Sequence, residues 1–200
     1  MNAMAVVTAG TGLVVICFRL ALEAAGRAGC RLDPGAWTWK IAAISVIGSA
    51  VIHAGSISSL LELPALSAAG VSAVTDLQAG YVFDRVLLFS ASALCVIALS
   101  VGAAASAATG AFLAGGTLWT LHAVTKGAGL GLGDVKLAAL LGAAAGATGA
   151  LELLTVAFMV GGAVAVLLVL SGRCRRTDSM AFAPFLAVAA CVVAATGRSR

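Results

Sequence analysis

Long apolar stretches alternate with short polar breaks along nearly the whole chain. They run at about 4–22, 41–57, 58–75, 86–105, 108–125, 134–150, 152–171 and 181–197, close to the roughly 17–25 residues that a helix needs to cross a bilayer core. The pattern predicts an all-α, polytopic helical membrane bundle of about eight transmembrane helices, with seven as the alternative count. The run 41–75 is interrupted only at Gly55-Ser56 and around Glu62 to Pro64, which leaves a kinked or re-entrant arrangement open there. Little chain remains outside the spans, so the expectation is one membrane domain over 1–200.

Composition agrees with the pattern. Hydrophobic residues make up 62% and charged residues 10%, against roughly 25% charged in a soluble domain, and mean hydropathy is +1.11. A soluble protein of this size buries only about 70–75% of its unfolded surface, too little to hide such a composition. The net charge of +4 is dispersed, with no clustered basic face for nucleic acid. Cys17, Cys30, Cys95, Cys174 and Cys191 form no CxxC or CxxH pair, so no metal site, cofactor or disulfide framework is expected. Basic residues also set orientation. With the N-terminus outside, the inner loops 19–40, 76–85, 126–133 and 172–180 and their flanks hold ten of the twelve Lys and Arg, leaving only Arg198 and Arg200 on the other side. The first segment has its arginines after its apolar run and reads as an uncleaved span. The expected location is the inner or plasma membrane, multi-pass.

Eight carboxylates are available for chemistry. Asp33 and Asp178 fall in loops, and Glu23, Glu62 and Glu152 at span ends read as interfacial. Asp76 closes one apolar stretch; Asp134 opens another, directly after the glycine run from Gly127 to Gly133. Two spans separate them, and an even number of crossings returns the chain to the same face. On pattern alone two readings stand. Two carboxylates in reach of each other share one proton and can activate water against a carbonyl; alternatively, both are interfacial residues at helix ends. Glycines at Gly131 and Gly133 would let an extended peptide approach Asp134. A nucleotide loop is excluded, because Lys126-Gly127 has the wrong order for a Walker A motif and GxGxxG fails in spacing. Lys136 reads either as an electrostatic partner of one carboxylate or as a cytoplasmic-face anchor. His53 and His122, without partners in sequence, read as core or interface residues, and Trp37, Trp39 and Trp119 suit interfaces or packing.

The segment Gly131-Leu-Gly-Asp-Val-Lys-Leu137 closely resembles the GxGDxK signature of the type IV prepilin peptidases, which are GxGD-type membrane aspartyl proteases. Thr75-Asp76-Leu77 and the late Ala181-Phe-Ala-Pro-Phe-Leu-Ala187 fall in the family's order, and the resemblance covers a catalytic core at 58–197. It implies Asp76 and Asp134 as catalytic residues, with Gly131, Gly133 and Lys136 in support. The implied activity is an aspartic endopeptidase that removes a short basic leader from prepilin-like membrane proteins of a type IV pilus or secretion system, cutting at the cytoplasmic face. Two departures stand out. The chain reads Leu77-Gln-Ala-Gly-Tyr-Val-Phe-Asp84 where the family has an Arg-rich turn and Ile-Pro-Asn, which makes Asp84 a weaker alternative for the first carboxylate. The 19–40 loop lacks the paired CxxC of bifunctional members, implying a peptidase-only form. A small membrane transporter with Asp76 and Asp134 as ion sites, or a catalytically silent assembly factor, are the rival readings.

Overall fold

The computed structural model describes residues 58–127, 129–171 and 181–196. The expected spans 4–22 and 41–57, the loops 19–40 and 172–180, and the basic residues they carry lie outside the described residues. Within them all regular structure is helical: α1 (Ser58–Ala79), α2 (Asp84–Ser100), α3 (Ala104–Val124), α4 (Leu132–Leu170) and α5 (Ala183–Thr196). The all-α expectation therefore holds for this part of the chain. By length and composition α4 is the described helix that qualifies to cross a membrane.

Helix α1 forms through its proline instead of breaking there. Pro64 sits inside it and forfeits one backbone bond, but alanine- and leucine-rich flanks favour the helix on either side. Two of its buried hydroxyls are satisfied locally: Ser67 Oγ donates to the Leu63 carbonyl at 2.7 Å and Thr75 Oγ1 to the Ser72 carbonyl at 3.1 Å. The helix runs past Asp76, which was expected to close it, and stops at Gly80. That glycine is left-handed, with φ 67°, and its N–H returns to the Asp76 carbonyl at 2.9 Å, a glycine C-cap.

α4 covers what the hydrophobic pattern divides at about residue 151, and the break comes earlier, at Gly146. Its φ of 73° and ψ of −176° are non-helical, in a region open essentially to glycine alone. The chain doubles back there. Asp134 lies within electrostatic reach of Asp76, whose carboxylate is bonded to Ala183 at the start of α5. Phe158 stacks at 5.5 Å on Phe182, the residue just before α5. A straight helix would put Asp134 and Phe158 about 36 Å apart; both instead meet the same end of α5. The two arms, 132–145 and 147–170, are thus antiparallel.

The first arm packs on α3 through bare backbone. A Cβ placed on Gly142 would collide with the Gly110 carbonyl oxygen and lie 2.6 Å from the Ala114 side chain, so these helices touch as small-residue helix pairs do in membranes. α5 packs against α1 and α4, burying Leu186 and Ala189 completely. Glu62 belongs to this interior: it is 5% exposed, beside Leu141, Leu153 and Val193. The interfacial placement expected for it is corrected, because its turn of α1 faces α4 and α5. The outer surface is apolar instead, with Phe112, Met159 and Leu170 among the most exposed side chains. Such a surface is a liability in water and suits lipid.

Candidate active site

Asp76 and Asp134 come together from opposite ends of the intervening helices. Asp76 stands one turn before the end of α1, and its Oδ2 accepts the Ala183 N–H at 3.2 Å. This contact depends on the segment Phe182-Ala-Pro-Phe185. Proline suits the first turn of a helix, where its missing N–H would have no partner, and the adjacent Ala183 N–H is left to donate. Asp76 therefore caps α5, at the positive end of its dipole.

Asp134 occupies the first turn of α4. Its Oδ2 accepts the Gly131 N–H at 3.3 Å, half of a capping box with Gly131 at the N-cap. The residue is 9% exposed. Its other oxygen, Oδ1, is buried with no hydrogen-bond partner. Leaving such an acceptor unsatisfied costs on the order of 1–3 kcal/mol. Asp76 is close enough for direct repulsion between the two carboxylates. Two electrostatically coupled carboxylates, one of them buried with an oxygen that no protein group bonds, are a set that could share a proton.

The two glycines of the motif differ in purpose. Neither Gly131 nor Gly133 is among the positive-φ glycines, so unusual torsions do not explain them. A Cβ on Gly133 would come 2.8 Å from the Val82 Cβ, whereas a Cβ on Gly131 would meet the Asp134 Oδ2 at an ordinary 3.4 Å. Gly133 is bare because the chain's own connection between α1 and α2 lies on it. The turn preceding the motif is anchored by His122, whose Nδ1 lies 2.6 Å from the Leu130 carbonyl oxygen. That anchor was missed in the sequence, where nothing marks a histidine in α3 as facing a loop eight residues on.

Lys136 pairs with neither catalytic candidate. Its Nζ donates to both oxygens of Asp84, at 2.7 and 2.9 Å, and both side chains are about half exposed. Asp84 thus starts α2 with its carboxylate engaged, away from Asp134. Together the pair closes one end of an open apolar groove of about 620 Å³ between α2, α3 and the first arm of α4; neither Asp76 nor Asp134 lines it. Among the described cysteines, Cys95 and Cys191 are free thiols.

Comparison with curated proteins and with solved structures gives no match. A family model does match, over residues 63–166, just over half of the chain, and that stretch contains Asp76, the 131–137 motif, the first arm of α4 and most of the second. The chain belongs to the type IV leader peptidase family.

Proposed function

We propose that this protein is an aspartic endopeptidase of the membrane that removes the short basic leader from prepilin-like precursors at the cytoplasmic face, with Asp76 and Asp134 as its catalytic residues. Family membership implies a peptidase. The observation that supports the aspartic reading is the electrostatic coupling of Asp76 to Asp134, a buried acid whose Oδ1 has no hydrogen-bond partner.

The chemistry follows from the charges. Facing carboxylates hold one proton between them. The ionised member takes a proton from a water whose oxygen attacks the scissile carbonyl carbon, while the protonated member donates a hydrogen bond to the carbonyl oxygen. The tetrahedral intermediate collapses as the C–N bond breaks; a proton passes to the leaving amine, and the acid pair returns to its starting state. Asp76, at the N-terminus of α5, is the better seat for the negative charge. No metal or covalent enzyme intermediate is needed. The substrate's hydrophobic helix would lie in the bilayer, its leader at the inner surface beside the carboxylates. The multi-pass, N-outside orientation belongs to this proposal and rests on the distribution of lysine and arginine.

The test is cleavage of a co-expressed prepilin by wild type, Asp76→Asn and Asp134→Asn at equal membrane levels. Leader removal is expected to vanish in both variants. Processing by a double Asn variant would refute the mechanism, and loss in Asp134→Asn alone would shift the first carboxylate to Asp84. A wild type unable to process a competent substrate would favour the transporter or the silent assembly factor.

A further inference from the structure

Residues 80–83, between α1 and α2, run from the helix that carries Asp76 to the first residue of α2, passing over the first turn of the helix that carries Asp134. Gly80 closes α1 in a left-handed turn. Val82, half-buried, lies directly against Gly133, in space a single methyl would fill. The next charged residue, Asp84, is gripped through both oxygens by Lys136. The strap thus touches α4 on both sides of Asp134: by an apolar contact at the residue before it and an ionic one two residues after. Successive α-helical residues are about 100° apart, so Lys136 projects to roughly the opposite side of the helix from Asp134. It can hold the turn without entering the site.

We propose that Asp84 and Lys136 are positioning residues, an ionic latch that holds the 80–83 strap against the first turn of α4 and thereby sets the approach of Asp134 to Asp76. The latch rests on the dyad reading above, since the geometry it sets is that of the two carboxylates. Gly133 lets the strap lie flat; the ion pair keeps it there. Both partners are about half exposed, so the latch is a weak tie that opens and closes readily, unlike a buried ion pair.

Two measurements test it. The first does not depend on catalysis. In a chain whose own cysteines are replaced by serine, Val82→Cys is labelled with a membrane-impermeant maleimide in inside-out vesicles. Labelling is expected to speed up about threefold or more on adding Asp84→Asn or Lys136→Gln, as the strap lifts from Gly133; unchanged labelling would overturn the latch. The second is prepilin processing with the native cysteines. Asp84→Asn and Lys136→Gln are each expected to lower kcat about three- to tenfold with KM within about twofold, a range suited to a weakly coupled pair. The charge-exchanged double variant Asp84→Lys with Lys136→Glu should recover at least half of the lost rate. Faster labelling without any loss of kcat, or a double variant no better than the singles, would also overturn the proposal. A wild type that fails to cleave refutes the peptidase reading instead, and the labelling result still decides whether the strap is latched.

Discussion

At the scale of single residues, the site is explained by what each atom has for a neighbour. Asp134 shows this most directly, with one oxygen on the Gly131 N–H and the other buried without a partner. The sequence marks Asp134 because an acid beside a glycine run at a span boundary is rare in so apolar a chain. It does not say which oxygen is vacant, since that follows from packing. The glycines sharpen the point. Gly133→Ala is expected to cut leader removal about tenfold or more, because its methyl must displace Val82, and overpacking a tight contact costs about 1–3 kcal/mol. Gly131→Ala, meeting only ordinary contact, should stay within about threefold of wild type. Processing rates of the two variants at matched expression check this; equal losses would mean that backbone freedom, not the Val82 contact, is what the motif needs. Lys136 shows the limit of reading by proximity. Two positions from Asp134 in sequence, it pairs with Asp84, 52 residues away.

At the scale of elements, helix ends and breaks were the hardest features to place. The stretches expected at 58–75, 86–105, 108–125 and 181–197 correspond to the helices Ser58–Ala79, Asp84–Ser100, Ala104–Val124 and Ala183–Thr196. The reversal expected near residue 151 occurs at Gly146. Composition could not place it, because 134–171 is apolar almost throughout and holds several glycines: the one that turns is chosen by its contacts with α3 and by the room the second arm needs. Gly146→Ala is expected to destabilise the protein by about 2 kcal/mol, since its torsions lie in a region that a Cβ penalises by about 1–3 kcal/mol. Thermal unfolding of detergent-extracted protein should show the lower midpoint. An unchanged midpoint would mean that the arms can join through ordinary torsions.

At the scale of the whole molecule, the helices bring the ends of distant segments to one end of the bundle. Loops 80–83 and 125–131 share an end with the start of α5, and the 101–103 turn lies at the other end of α2 and α3. With the N-outside orientation, alkaline phosphatase fused after Gly102 is expected to be active, and fused after Gly80 or Gly129 inactive. Activity after Gly80 and Gly129 with none after Gly102 would reverse the orientation and put the carboxylates on the opposite face. The apolar exterior at Phe112, Met159 and Leu170 fits a chain whose helices meet lipid around a small interior of alanine, glycine and leucine.

The sequence by itself determined the helical class of the described residues, their apolar stretches and the two acids proposed for the site. These are local or compositional facts: hydropathy over about twenty residues, and charge where charge is scarce. Only the tertiary structure decided that Asp76 caps α5 through the Ala183 N–H, that Val82 occupies the space over Gly133, that Lys136 holds Asp84, and that Glu62 is interior. Each joins residues far apart in the chain, and which of them meet is set by how the helices turn and cross, through Gly146 and the Gly110–Gly142 contact. A side chain's position along its helix fixes its depth and direction, but its partner is whatever the neighbouring helix brings to that depth.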